Sequence, residues 1–153
     1  MNTVEVNKDT LRTEYSKANS AGKTLLKKLF DNSIFEAKIT DRVKSFEDAC
    51  KILKLTPAKI ILKTDTKDEA AYKKLKVIAA ALNEGWKPNW NDSSEYKYYP
   101  WFQMEKSFSF DCVIYFFLSR SSDVSSRLCF KNEDLAKYAA TQFLPLYKEF
   151  MVI

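Results

Sequence analysis

Hydrophobic and polar residues alternate most regularly between Phe108 and Leu118, where every second residue is apolar. A period of two over such a length is typical of a β-strand that has one covered face. The residues in between begin polar and end apolar, so the second face is expected to be covered only towards the strand's end. The predicted covered face consists of Phe108, Phe110, Cys112, Ile114, Phe116 and Leu118.

Two shorter stretches, 96–104 and 127–130, have the same strand-like composition and lie on either side of this strand. In the first of them, Pro100 indicates an edge strand or a bulge, because proline lacks the N–H that a central strand donates. Taken in chain order, the three strands predict a three-stranded antiparallel β-meander.

A helical period marks most of the chain before Trp86. The clearest helix begins at a capping box formed by Thr66 and Glu69, and it ends near Glu84 with Gly85 as its cap. A helix, or two helices with a break, is predicted over 9–30, and another helix begins at Ser45. The apolar stripe of the clearest helix is Ala71, Leu75, Ile78, Ala79 and Leu82.

The stretch 46–60 resembles a helix-turn-helix unit, with Pro57 opening the second helix. Its turn holds Lys54 where glycine is usual, and the second helix, 57–63, would have only about two turns. A DNA-reading unit and a purely structural helical hairpin therefore both stay open.

The final helix begins at Asn132, which is a favoured N-cap residue, and Pro145 is expected to kink or split it near Thr141. Its apolar stripe would cover the sheet. The predicted fold is thus α+β, with N-terminal helices, a three-stranded antiparallel β-meander and a C-terminal helix packed on the sheet. We expect residues 1–8 to form a flexible lead and residues 9–153 to form a single α+β domain.

Aromatic residues are concentrated between Trp86 and Phe117, which contain twelve of the 22 aromatic side chains. Large rings that are not buried favour protein interfaces or stack on bases. Base stacking usually needs interleaved cations, but this segment holds only Lys87, Lys97 and Lys106. Core packing and a protein-binding surface are therefore the main interpretations, and the candidate protein-binding residues are Trp86, Trp90, Tyr99 and Trp101.

The excess of positive over negative charge is confined to the first part of the chain. Residues 1–85 carry 17 Lys and Arg against 12 Asp and Glu, whereas residues 86–153 carry eight of each. Solvated helix faces explain such an excess, and a nucleic-acid-binding surface on this basic helical half is the alternative. The candidate nucleic-acid-binding residues are Lys59, Lys63, Lys73, Lys74 and Lys76.

The chain has no histidine, which excludes histidine-dependent catalytic triads and histidine metal sites. Its three cysteines are far apart, so neither a zinc site nor a disulfide framework is expected. We expect no catalytic residues, no cofactor and no metal. The remaining enzymatic candidates are the carboxylates Glu84, Asp92, Glu95 and Asp111, and Arg120 and Arg127 are candidates for holding an anion.

No apolar run approaches the ~20 residues that span a bilayer, and the first residues lack the apolar core of a secretion signal. We therefore expect neither a membrane partner nor secretion. The expected function is that of a non-enzymatic binding protein that contacts a protein partner or a second copy of itself. Nucleic acid is the alternative partner.

Three segments resemble a family of uncharacterised proteins from phages and prophages of Bacteroides-type bacteria. They read LNEGWKPNW at 82–90, EYKYYPWF at 95–102 and RLCFKNEDLAKYAATQFLPLYKEF at 127–150. The resemblance covers about 45–150. It implies a phage or mobile-element setting in the cytoplasm of a bacterial host, and it implies no activity and no site residues.

Overall fold

A computed structural model of the chain describes residues 6–35, 37–104, 107–116 and 126–152. The chain divides into two compact units, Met1–Lys38 and Ile39–Ile153. This boundary falls within 9–153, and a single domain over that range stays a prediction. Most of the predicted lead, 1–8, lies outside the described residues.

The first unit contains two helices, α1 (Lys8–Lys17) and α2 (Ser20–Leu29), followed by a 3₁₀ turn at Asn32–Phe35. Asn19 separates the helices because its backbone is extended and its side chain accepts a hydrogen bond from the Gly22 N–H at 2.9 Å, which caps α2. Of the two arrangements that the sequence left open, the structure therefore has the broken one.

The second unit begins with three short helices, α3 (Ile39–Arg42), α4 (Phe46–Ile52) and α5 (Pro57–Ile60). Ser45 caps α4 by accepting from the Asp48 N–H at 3.1 Å, as its position predicted. Lys54 has a φ of 56°, so it adopts the left-handed conformation that usually favours glycine in this turn. The second helix of the supposed helix-turn-helix is only one turn long, and Ile60 packs against the core.

Helix α6 (Lys67–Leu82) is the central element of the second unit, because α3, α4, α7 and α8 all pack against it. Its predicted capping box is confirmed, since Glu69 N–H donates to Thr66 and the Glu69 carboxylate accepts from the Thr66 N–H. The predicted stripe is also confirmed, and its buried members are Ala71, Leu75, Ile78, Ala79 and Leu82.

The chain ends in two helices, α7 (Glu133–Gln142) and α8 (Leu144–Met151). Asn132 caps α7, and Pro145 lies in the first turn of α8, so the predicted split is confirmed. Helix α7 packs on the sheet, whereas α8 packs on α6. No helix within the described ranges combines the length and the apolar character that crossing a bilayer requires.

The sheet has two antiparallel strands in the described part of the chain, β1 (Lys97–Gln103) and β2 (Ser109–Phe116), so the predicted three-stranded meander is wrong. The third segment forms a 3₁₀ turn at Ser126–Leu128 and then a single bridge in which Tyr98 and Phe130 exchange both backbone hydrogen bonds.

Pro100 explains why this bridge does not become a ladder. Backbone groups of alternate residues point to the same edge of a strand, so Pro100 faces the same edge as Tyr98. The next bond would require an N–H from Pro100, which has none. In the other direction the chain turns into α7 at Asn132. The sequence therefore limits the third strand to one residue.

Asn83, the C-cap residue of α6, binds the edge of the Phe130 segment that faces away from β1. Its side chain makes the hydrogen bonds that a neighbouring strand would make there. Its side-chain N–H donates to the Cys129 carbonyl at 2.8 Å, and its side-chain oxygen accepts from the Lys131 N–H at 3.0 Å. The Asn83 side chain is buried, with 6% of the residue exposed. One amide therefore joins α6 to the edge of the sheet.

A β-bulge changes which face of β2 is covered. The pairing shifts between Trp101↔Cys112 and Phe102↔Phe110, which leaves Asp111 as an extra residue. An extra residue reverses the alternation of faces. The predicted covered face is therefore wrong after Phe110. Phe108, Phe110 and Val113 pack against the core, Cys112 is exposed and Ile114 is half-buried, while 117–118 lie outside the described residues.

We predict that the Asn83→Ala substitution lowers the free energy of unfolding by about 2 kcal/mol, because two buried backbone groups lose their partner. Asn91→Ala is the matched control, since Asn91 is exposed in the loop before β1. Urea unfolding followed by circular dichroism measures both. Equal stability of the two variants would contradict the bridging role of Asn83.

Candidate functional site

The loop between α6 and β1 is built around the ammonium group of Lys97, a residue that is fully buried at 0% exposure. Its Nζ donates to three backbone carbonyls, those of Asn89 at 2.8 Å, Asp92 at 3.1 Å and Glu95 at 2.8 Å. A buried ammonium is stable only when its protons are satisfied. Lys97 therefore fixes the course of residues 89–95.

Glu95 extends these contacts to the aromatic side chains of the loop. Its carboxylate lies 3.2 Å from Lys97 Nζ and accepts hydrogen bonds from the Asn89 N–H at 2.8 Å and the Trp86 indole N–H at 3.3 Å. The Trp90 ring centroid lies 5.6 Å from Lys97 Nζ, within cation–π distance. Both tryptophans are thus held in position by the same ion pair.

A further turn inside this loop is fixed by Asp92, which accepts from the backbone and the hydroxyl of Ser94 at 2.8 and 2.6 Å. These hydrogen bonds hold the pKa of the Asp92 carboxyl below its usual range. The loop therefore has few degrees of freedom left to lose when a partner binds.

Trp86 and Trp90 are half-buried and line one pocket of about 390 Å³. Three cationic side chains share this pocket, namely Lys76 from α6, Lys87 from the loop and Arg127 from the second 3₁₀ turn. The pocket therefore offers flat apolar surfaces beside positive charge.

A second pocket, of about 470 Å³, adjoins the first, because Lys76, Ala80 and Arg127 line both. Lys59 and Lys73 add positive charge to this second pocket. Its apolar lining consists of Leu53, Leu55, Ile60, Leu62, Val77 and Ala80. We call the two pockets together the basic–aromatic groove. In the part of the chain that the structure describes, neither pocket is lined by an Asp or Glu.

Ala80 explains why the groove is open. It lies on the exposed side of α6, between the buried Val77 and the cap residue Asn83. A larger side chain there would fill the junction of the two pockets. Since Ala80 has no polar group and contributes little to the core, it can be replaced as a probe of the groove.

The structure brings together two of the four predicted protein-binding residues. Trp86 and Trp90 line the groove, whereas Tyr99 is buried, at 1% exposure. Trp101 is 45% exposed, but it lies on the sheet face opposite α7 and does not line the groove. Alternation along β1 separates it from Phe102, which points into the core.

Three of the five predicted nucleic-acid-binding lysines, Lys59, Lys73 and Lys76, line the groove, whereas Lys63 and Lys74 do not line either of its pockets. Lys73 is paired at 2.6 Å with Asp65, and this contact lowers the pKa of the Asp65 carboxyl.

Two cations of the groove, Lys87 and Arg127, are not among the binding residues predicted from the sequence. Lys87 was counted only among the aromatic segment's few lysines. Arg127 was considered together with Arg120, which lies outside the described residues. Both line the tryptophan pocket. The position of Lys87 between Trp86 and Trp90 was the one signal in the sequence that could have connected charge with the rings.

The carboxylates considered for catalysis have separate structural contacts. Glu84 pairs with Lys131 at 2.8 Å, Glu95 binds Lys97, and Asp111 accepts from Gln103 at 3.4 Å. Cys129 lines the tryptophan pocket, but burial raises the pKa of its thiol to about 11. The thiol is therefore protonated at neutral pH and is a poor nucleophile.

Neither a protein-family model, nor a curated protein, nor a solved structure matches this chain. Its function therefore has to be inferred from the geometry of its own surface.

We predict that Lys97→Met releases the loop, because Glu95 and three carbonyls lose their shared donor. Breaking a buried ion pair of this kind costs about 3 kcal/mol of unfolding free energy. The emission of Trp86 and Trp90 should shift to the red as the rings become hydrated. Stability is measured by urea unfolding and hydration by fluorescence in a Trp101→Phe background.

Lys87→Met is the control for this substitution, because Lys87 lies in the same loop and is exposed. Lys87→Met should change the free energy of unfolding and the emission wavelength by no more than a small fraction of the changes that Lys97→Met causes. A Lys97→Met variant with unchanged emission and stability would show that the ammonium does not organise the loop.

Proposed function

We propose that this chain is a non-enzymatic binding protein that engages a protein partner through the basic–aromatic groove. The observation that carries the proposal is the pairing of Trp86 and Trp90 in one pocket, half-buried and fixed by the Lys97–Glu95 ion pair. Tryptophan and arginine are the residues most enriched at the energetic centres of protein interfaces. A preorganised loop binds at a lower entropic cost than a loop that must be ordered.

The aliphatic half of the groove supports a protein partner rather than a nucleic acid. Leu55 and Leu62 are 39% and 52% exposed, and both line the second pocket. Branched aliphatic side chains recover free energy by packing against other apolar side chains, at about 25 cal/mol per Å² of buried area. They offer neither a stacking plane for a base nor a hydrogen bond.

A phage or prophage setting and the cytoplasm of a bacterial host belong to the same proposal. They are supported by the resemblance of 82–90, 95–102 and 127–150 to phage and prophage proteins. The partner would then be a protein of the mobile element or of its host. A second copy of this chain also counts as a protein partner, since the groove of one copy can bind a segment of another copy.

Single-stranded nucleic acid is the alternative partner, and the tryptophan pocket is the observation that favours it. Lys76, Lys87 and Arg127 could contact phosphates while Trp86 or Trp90 stacks on a base, a contact worth about 1–3 kcal/mol. Lys63 and Lys74, the other two predicted nucleic-acid-binding residues, line neither pocket and therefore do not enlarge this positively charged surface. Helix α5 is also too short to serve as a recognition helix.

Site-specific photo-crosslinking in a bacterial host that carries the gene and its neighbours tests the proposal. A photo-reactive amino acid replaces Lys87 in the groove or, as a control, Lys74 on the same unit outside it. We predict that position 87 gives a discrete product that is sensitive to protease and resistant to nuclease. The product should weaken when Ala80→Glu is added, because a carboxylate then fills the junction of the two pockets.

Each other outcome of the crosslinking counts against a protein partner at this groove. A nuclease-sensitive product at position 87 would favour the alternative. Products of equal yield at 87 and 74, or a yield that Ala80→Glu does not change, would show that the groove is not the binding surface.

A further inference from the structure

We propose that the element bound by the basic–aromatic groove is an acidic amphipathic α-helix of about three turns. This inference rests on the proposed function, which it makes specific: it names the chemistry and the conformation of the partner segment.

Charge complementarity requires an acidic segment. Lys59, Lys73, Lys76, Lys87 and Arg127 line the two pockets, and none of the described residues that line them is an Asp or Glu. Asp65 neutralises Lys73 at 2.6 Å, whereas Lys59, Lys76 and Lys87 have no carboxylate partner among the described residues. A basic or neutral segment would leave the positive charge of the groove uncompensated, whereas aspartate and glutamate side chains would compensate it.

The apolar floor requires that the segment also has a hydrophobic stripe. Between the cations lie Val77 and the exposed Ala80, and beside them the partly exposed Leu55 and Leu62. A purely acidic segment could not bury these apolar surfaces without removing its own carboxylates from water. Burying a carboxylate against an apolar surface costs free energy. Acidic residues are therefore needed at the sides of the segment, and apolar residues along its centre.

Backbone hydrogen bonding favours a helix over an extended peptide. A helix satisfies its own N–H and C=O groups, whereas an extended peptide needs a free strand edge beside it. None of the residues 97–103 of β1 or 109–114 of β2 lines either pocket. The groove consists of side chains from helices and loops, so an extended peptide would lose water from backbone groups without replacement.

The length of the groove sets the length of the helix. Its floor follows α6 from Lys73 to Asn83, a distance of about 15 Å at the rise of an α-helix. A partner helix of about ten residues covers the same distance. Its apolar positions would follow the i, i+3, i+4, i+7 rule, with leucine or isoleucine towards Leu62 and a larger apolar residue towards Trp86 and Trp90.

Model peptides test this inference with the full-length protein. The first probe has about 15 residues, leucine on one helical face and glutamate on the others. The second has the same composition in an order that destroys the stripe. The third has lysine in place of glutamate, and the fourth probe is an oligothymidylate. Binding is followed by NMR of the ¹⁵N-labelled protein through the indole N–H signals.

We predict that the first probe shifts the indole signals of Trp86 and Trp90 and leaves that of Trp101, which lies outside the groove, unchanged. Lys76→Glu and Ala80→Glu should each weaken this binding by about tenfold or more, because each adds negative charge at the junction of the pockets. Lys74→Glu is the matched control on α6 and should stay within about twofold of the unchanged protein.

Several results would overturn the inference. If the reordered acidic peptide binds as well as the first, the stripe is irrelevant. If oligothymidylate binds more tightly at the same signals, the groove serves nucleic acid. If no peptide binds, or Lys74→Glu weakens binding as much as Lys76→Glu, the partner is not an acidic helix in this groove. A protein crosslink at position 87 together with no peptide binding would contradict the acidic helix and leave the proposed function intact.

Discussion

The burial of one ammonium group determines how the most aromatic part of this chain is arranged. Lys97 begins β1, and its side chain is enclosed by the loop that precedes the strand. Removing an ammonium from water is costly unless all of its protons find partners. The carbonyls of Asn89, Asp92 and Glu95 provide them, and they can do so only when the loop folds back over the strand. The loop therefore adopts one conformation, and Trp86 and Trp90 are held beside the groove.

A second constraint joins this loop to the rest of the unit. Asn83 ends α6 and binds the backbone on both sides of Phe130, while Pro100 prevents that segment from pairing further with β1. The 3₁₀ turn that results carries Arg127 to the groove, where it faces Lys76 and Ala80 of α6. A regular third strand would extend in place of this turn. The irregularity of the sheet thus provides one wall of the candidate site.

Much of the helical part of the fold can be predicted from the sequence, because its signals are local. The capping box at Thr66, the caps at Ser45 and Asn132, and the stripe through Leu75 and Leu82 all depend on neighbouring residues. The sheet could not be predicted in detail. The bulge at Asp111 depends on pairing with β1, and the loss of the third strand depends on which edge Pro100 faces. Neither is visible from periodicity in one strand.

The candidate site was predictable only in part for the same reason. Trp86 and Trp90 stand out by composition, and Lys76 by charge, but their convergence depends on the loop conformation that Lys97 imposes. In the sequence, Lys97 is one of a few lysines among aromatic residues and gives no sign of being buried. Tyr99 and Trp101 belong to the same aromatic run and, two residues apart, to the same face of β1. Tyr99 is nevertheless buried and Trp101 is 45% exposed, a difference that neither composition nor alternation predicts.

The most direct test of this account is the rate at which the side-chain ammonium protons of Lys97 exchange with water, measured by ¹H–¹⁵N NMR. If three carbonyls and Glu95 enclose the group, its protons should exchange slowly enough to give a signal near neutral pH. Exposed ammonium groups, such as that of Lys87, should exchange too fast to be seen. A Lys97 ammonium that exchanges as fast as that of Lys87 would contradict the claim that this group organises the loop.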